Sequence, residues 1–135
     1  MNEIAKYLKV NPDKMYLRLT LLFFAGWLFF KGPARWFLSG KFENVDHLLG
    51  VAPNFFAATA LVLWVTYATS AKSLVSFVCV ILILSLGEFV QTFMSTQTAD
   101  VMDILASFCG GFLGLGIVEA RRFWVAKRSE RPRGI

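Results

Sequence analysis

The sequence predicts an all-α integral membrane protein, built as a four-helix bundle with both termini in the cytoplasm (N-in/C-in). First, 56% of the 135 residues are hydrophobic and only 17% are charged, whereas soluble domains have about 45–50% apolar and about 25% charged residues. Second, the chain contains four apolar stretches that approach the length needed to cross a bilayer. Third, Lys and Arg are unevenly distributed between the two sides of these stretches, as in proteins that obey the positive-inside rule. A chain of this length predicts one domain.

The first predicted span covers residues 15–31. Its strictly apolar part, Leu19–Phe30, is short for a span, so the prediction includes Met15–Leu17 and places the long side chain of Arg18 at the interface. A cleaved signal peptide is the alternative, because the preceding segment is basic. The residues that follow, Lys31–Trp36, make a poor cleavage site. The segment is therefore assigned as the first helix.

The second and third predicted spans cover residues 51–71 and 73–93. A long connection, Lys31–Gly50, precedes them; its mixture of charged and aromatic residues is typical of the headgroup zone and predicts a short interfacial helix ending near Ser39 and Gly40. Pro53 is expected in the first turn of the second helix, where a missing N–H has little effect. The turn at Ser70–Lys72 is only three residues long, which predicts an antiparallel hairpin.

The fourth predicted span covers residues 101–120 and is followed by a cytoplasmic basic tail, residues 121–135. Asp100 and Asp103 have the spacing of an N-cap residue and the third helical residue, where carboxylates satisfy free N–H groups. For Asp103 a role in a polar site is an equal alternative. The span carries three small residues at helical spacing that predict close helix packing: Gly110, Gly111 and Gly114.

The orientation follows from the basic residues. Eleven of the 14 Lys and Arg residues fall in the N-terminal arm, in the turn between the second and third spans, or in the tail. The other three are Lys31, Arg35 and Lys41. The richer side is expected to be cytoplasmic, which places the loop Met94–Asp100 outside.

Polar residues cluster at the outward ends of three spans. Glu88 and Gln91 are three positions apart and so share a helix face. Glu88 lies about 7–8 Å inside the third span at 1.5 Å per residue, a costly position for an ionisable group unless it faces the bundle interior or a wet cavity. The candidate binding residues at this depth are Asp46, His47, Asn54, Glu88, Gln91, Asp100, Asp103 and Ser107.

These residues do not form a recognisable catalytic or metal-binding set. His47 is the single histidine, and a metal site would need three or four converging ligands. Ser107 lacks a credible partner base, and the two cysteines have no zinc-binding spacing. The sequence therefore predicts no catalytic residue, no metal and no cofactor, and it leaves open whether the protein is an enzyme.

The segment Glu88–Gly114 resembles the signature of the VanZ-like membrane proteins. That pattern has E-x-x-Q, a basic position six residues later, Asp after six more, a small polar residue or Asn four further on, and then glycines. Here it reads Glu88, Gln91, Gln97, Asp103, Ser107, Gly110 and Gly114. The family usually has Arg at the Gln97 position and Asn at the Ser107 position. The resemblance adds Gln97 to the candidate binding residues and implies a multi-pass protein of the bacterial cytoplasmic membrane with an outward polar pocket.

Three functions are open at this point. The leading hypothesis is a binding or accessory protein whose pocket holds the headgroup of a lipid or a lipid-linked cell-envelope precursor. The second is an interfacial membrane enzyme with Glu88 or Asp103 as general base. The third is a structural or assembly subunit of a membrane complex. Membrane lipids are the expected partners, with another membrane protein as an alternative. Nucleic acid is not expected, because the basic tail is juxtamembrane.

Overall fold

A computed structural model describes residues 9–42, 44–94 and 100–130 of the chain. These residues form helices and connecting turns, without a β-strand among them. The described helices are α1 (Lys14–Lys31), α2 (Pro33–Leu38), α3 (Val45–Thr69), α4 (Ser73–Gln91) and α5 (Val101–Ser129). Counting α1 and α2 together, four of these stretches are long and apolar enough to cross a membrane. The predicted all-α class with four membrane-length helices is confirmed.

Local signals set the limits of α1 and α2. The Asp13 carboxylate accepts a hydrogen bond from the Met15 N–H at 3.0 Å and caps the start of α1. At the other end Pro33 cannot donate a backbone hydrogen bond, so a new helix starts there with Pro at its first position. The short helix predicted in this connection is α2, and the turn after it contains Gly40 at φ +76°, a conformation that favours glycine.

The second helix begins before its predicted span, and the predicted place of Pro53 in its first turn was wrong. α3 begins at Val45, six residues before the predicted start at residue 51, and Pro53 lies inside the helix instead of in its first turn. The extra turns form because Val45, Leu49 and Ala52 recur at helical spacing, with Leu49 only 2% exposed. Because polar residues lie between these three, the apolar run used to predict the span did not include this amphipathic first part of the helix. A proline inside a membrane helix is tolerated where neighbouring helices and side chains compensate for the lost hydrogen bond.

α3 is the central helix of the bundle. It packs most extensively against α5 and α1, while α4 packs on α5 and, less extensively, on α3. Tyr16, Leu63 and Val118 from α1, α3 and α5 form one fully buried cluster. The outward faces carry large apolar side chains; Leu82, Ile83, Leu86, Phe89, Phe112 and others are mostly exposed. In a bilayer these faces contact acyl chains, which is why a chain this apolar can be a stable bundle.

The glycines of α5 bring it unusually close to its neighbours. A Cβ atom on Gly110 would lie 2.1 Å from the Phe55 carbonyl oxygen of α3. On Gly114 it would lie 2.9 Å from Val62 Cβ, and on Gly111 it would meet side chains of α4 at 2.9 Å. Thr59 donates a hydrogen bond across this seam to the Gly110 carbonyl oxygen at 2.9 Å. At Gly110 α5 thus contacts the backbone of α3, whereas at Gly111 it contacts side chains of α4.

The fourth helix is longer than its predicted span. α5 continues to Ser129, nine residues past the predicted limit at Ala120, because Ala, Arg and Lys are good helix formers and no breaker interrupts them.

The bundle has two distinct ends. We call the end with Asp13, Ser73 and Arg121 the terminal end, and the end with Asp46, Glu88 and Asp103 the loop end.

Candidate functional site

The loop end brings together polar side chains from three helices. Asp103 lies in the first turn of α5, and its carboxyl group is near the Asn54 amide of α3, Asp100 and His47. Glu88, in the last turn of α4, interacts electrostatically with Asp103 and Asp100. Five of the residues predicted from the sequence, Asn54, His47, Glu88, Asp100 and Asp103, are thus neighbours. We call Asn54, Glu88 and Asp103 the loop-end cluster.

Glu88 has the least satisfied side chain of this cluster. Its Oε2 atom is buried and has no hydrogen-bond partner within residues 9–42, 44–94 and 100–130. A buried polar atom without a partner costs about 1–3 kcal/mol, and more when it is charged. The neighbouring charges, Asp100 and Asp103, have the same sign and add to the cost. The position of Glu88 in α4 is therefore energetically unfavourable for a charged carboxylate.

Other predicted site residues have their polar groups occupied locally. The Ser107 hydroxyl donates to the Asp103 carbonyl oxygen at 2.9 Å, one turn earlier in its own helix. The Asp46 carboxylate accepts from the Gly40 N–H at 3.2 Å and so holds the turn between α2 and α3. The Asp100 carboxylate accepts from the Met102 N–H at 2.9 Å, which confirms the predicted N-cap. These contacts support the backbone around the cluster.

Of the two glutamines in the predicted site, the structure describes one. Gln91 is the last residue of α4, one turn beyond Glu88, and is half-buried. Gln97 lies outside the described residues. Of the predicted amides that the structure describes, Asn54 is the one near the Asp103 carboxylate.

The chemistry of the loop-end cluster is that of an acceptor site. When they are ionised, Glu88 and Asp103 only accept hydrogen bonds and together present several acceptor positions, with Asn54 supplying an amide donor. Among the residues that the structure describes, no three His, Cys, Asp or Glu side chains are grouped as a metal site requires. The group that complements such a cluster is rich in hydrogen-bond donors, such as hydroxyls or an ammonium.

The close contact between α3 and α5 at Gly110 positions the loop-end cluster. Gly110 contacts the backbone of Phe55, the residue that follows Asn54. Asp103 lies two helical turns from Gly110 on α5. Because backbone contact at Gly110 sets the separation of α3 and α5, it also sets how closely the Asn54 amide approaches the Asp103 carboxylate. A cluster supported by two rigid helices is held more precisely than one on loops.

The terminal end contains a second polar network, which the sequence did not reveal. Arg121 donates to the Asp13 carboxylate at 2.8 Å, and this contact lowers the pKa of Asp13 from its ordinary value. Arg122 donates to the Ala71 carbonyl oxygen at 3.0 Å and lies 3.6 Å from the Glu119 carboxylate. The Ser73 hydroxyl also donates to Glu119. The network ties the start of α1, the start of α4 and α5 together.

The fold and these two polar ends define a class, a helical protein with four membrane-length helices, and so indicate a multi-pass membrane protein. The chain matches no family model, no curated protein and no solved structure. The resemblance of Glu88–Gly114 to the VanZ-like signature therefore stays a prediction from the sequence.

Proposed function

We propose that this protein is a VanZ-like multi-pass protein of the bacterial cytoplasmic membrane that binds a polar headgroup at the loop-end cluster. The ligand class is a lipid, or a lipid-linked cell-envelope precursor, whose headgroup carries hydroxyl or ammonium donors. One observation carries the proposal: the Oε2 atom of the half-buried Glu88 side chain is buried without a donor among the described residues, and it lies near a second carboxylate, that of Asp103.

The depth of the cluster supports a lipid ligand. Glu88 is the fourth residue from the end of α4, and Asp103 is the third residue of α5. Both therefore lie within about one turn, 5.4 Å, of a helix end. The ends of membrane-length helices reach the boundary between acyl chains and headgroups, so a headgroup can enter sideways from the leaflet without leaving the membrane surface.

The distribution of charge supports the orientation in which this headgroup is outside the cytoplasm. The loop end has the three basic residues of the poorer side, and the terminal end faces the richer side. The cluster then opens toward the outer leaflet, where lipid-linked envelope precursors are used. In this arrangement Glu88 and Asp103 accept from headgroup donors, while Asn54 orients Asp103 and hydrogen-bonds the ligand.

The test compares two zwitterionic lipids that differ in their donors. Phosphatidylethanolamine has three N–H donors on its ammonium, and phosphatidylcholine has none. We expect native mass spectrometry of the delipidated protein in detergent to show tighter binding of phosphatidylethanolamine. In Glu88→Gln this preference should weaken by about tenfold to a hundredfold, the effect of losing a hydrogen bond to a charged group.

The matched control is Glu130→Gln, the same chemical change at an exposed residue that follows α5 at the terminal end. It should keep the preference of the wild type. Phosphatidylglycerol, which has hydroxyl donors and a net negative charge, separates a hydroxyl-binding site from an ammonium-binding one. Equal binding of all three lipids, or an unchanged preference in Glu88→Gln, would refute the proposal.

A further inference from the structure

The basic residues at the end of α5 divide between two faces of the helix. Arg121 and Arg122 face the bundle, since Arg121 binds Asp13 at 2.8 Å and Arg122 donates to the Ala71 carbonyl oxygen at 3.0 Å. The guanidinium groups of Arg121 and Arg122 are therefore occupied by contacts within the terminal end. Lys127 and Arg128 lie one to two turns further along, and neither forms a salt bridge with any residue in the described part of the chain.

These two cations share their face with exposed aromatic rings. Phe123, Trp124, Lys127 and Arg128 line one open concave surface of about 260 Å³; we call it the outer basic face. Phe123 and Trp124 are 67% and 63% exposed. Each cation follows an aromatic residue by four positions and so lies directly above it. The Lys127 ammonium is 5.9 Å from the centre of the Phe123 ring.

Helix length places this face at the membrane surface. From Asp103 to Phe123 there are 20 steps along one continuous helix, or about 30 Å, the thickness of the hydrocarbon core. If Asp103 marks one boundary of the core, Phe123 and Trp124 lie at the other, where aromatic side chains are enriched. Lys127 and Arg128 then lie about 6 Å further out, four residues along the helix, at the level of lipid phosphates.

We propose that the outer basic face is a docking site for an anionic phospholipid of the surrounding leaflet. The two rings pack against the glycerol and upper acyl region, and Lys127 and Arg128 hold the phosphate and the net negative charge of the headgroup. Charge complementarity selects this occupant, because the face has two cations without a salt bridge among the described residues and no acidic side chain among its lining residues. The site lies at the opposite end of α5 from the loop-end cluster and is independent of the ligand proposed there.

The test uses phosphatidylglycerol as the probe and phosphatidylcholine as the uncharged comparison, again by native mass spectrometry of the delipidated protein. In Lys127→Gln/Arg128→Gln the affinity for phosphatidylglycerol should fall about thirtyfold. The matched control, Arg35→Gln/Lys41→Gln, removes the same charge from the loop end and should stay within about twofold of the wild type. Lys127→Gln/Arg128→Gln should keep the preference for phosphatidylethanolamine over phosphatidylcholine that Glu88→Gln weakens, which separates this proposal from the one above.

A second variant distinguishes a built site from simple charge attraction. Phe123→Ala/Trp124→Ala keeps every charge but removes the rings, and it should also weaken phosphatidylglycerol binding. Unchanged binding in this variant would show that the rings have no part in a site. Equal losses in the two charge variants, or no loss in Lys127→Gln/Arg128→Gln, would overturn the proposal. So would displacement of the lipid by a co-purifying protein seated on this face.

Discussion

Substitution of Gly110 by Ala is the sharpest test of how the bundle is held together. The added Cβ would lie 2.1 Å from the Phe55 carbonyl oxygen, 2.8 Å from its carbonyl carbon and 3.0 Å from its Cα. All three atoms are backbone, so no change of side-chain rotamer can relieve the contact. The backbones of α3 and α5 would have to separate by about 1 Å.

The expected cost combines three effects. Forcing an extra methyl group into a packed contact costs about 1–3 kcal/mol. Separation of the helices also weakens the hydrogen bond from Thr59 to the Gly110 carbonyl oxygen, and such bonds between membrane helices contribute about 0.6 kcal/mol. The higher helix propensity of Ala returns about 0.5–1 kcal/mol. We therefore expect Gly110→Ala to lower the free energy of unfolding by about 1–3 kcal/mol.

The assay is equilibrium unfolding in lipid–detergent micelles, with three other glycines of α5 as a graded series. Nothing lies within 4 Å of a Cβ on Gly116, so Gly116→Ala should stabilise the protein by about 0.5–1 kcal/mol. Gly114→Ala meets the stiff, branched Val62 and should fall next to Gly110→Ala. Gly111→Ala meets the flexible ends of Ile81 and Phe77 and should cost less. If Gly110→Ala and Gly116→Ala were equally stable, the close approach of α3 and α5 would be refuted.

Two further predictions concern single contacts. Thr59→Val removes the hydroxyl that donates from α3 to α5. It should lower the free energy of unfolding by about 0.6 kcal/mol, with an upper limit near 1.7. If the losses from Thr59→Val and Gly110→Ala added fully in the double variant, the two residues would not share a contact. Asp13→Asn keeps the N-cap but loses the ion pair with Arg121. Because this contact lowers the pKa of Asp13 in the folded protein, it stabilises the fold above the ordinary pKa of about 3.9, and the contribution is lost as pH falls through the lowered value. Stability should thus fall less steeply in acid for Asp13→Asn than for the wild type, and parallel profiles would count against the ion pair.

The helices could be predicted because a bilayer imposes a length and a polarity on whatever crosses it. The limits of α3 and α5 could not be predicted in the same way. Apolar runs mark only the part of a helix inside the hydrocarbon, whereas the backbone remains helical in the headgroup zone with polar side chains attached. The start of α3 still left a signal, because Val45, Leu49 and Ala52 keep the helical period across Asp46.

The depth of the polar residues could be read from the sequence, but their contacts could not. The helix rise of 1.5 Å per residue places Glu88 and Asp103 near the same level. Which side chains meet depends on the rotation of each helix and on which helices are neighbours, and neither is encoded locally. Asp13 and Arg121 show this most clearly, since they are 108 positions apart and form a 2.8 Å contact.

The helix pair α4–α5 contains its own comparison between a satisfied glutamate and an unsatisfied one. At the terminal end, Glu119 receives the Ser73 hydroxyl and lies 3.6 Å from the Arg122 guanidinium. At the loop end, Glu88 of the same pair has a buried oxygen without a donor among the described residues and two acidic neighbours. The packing of α4 on α5 does not by itself leave a glutamate without a donor, because the same two helices supply donors to Glu119 at their other end. Natural sequences break such local rules mainly where function requires it, so this contrast supports the headgroup site proposed at the loop end.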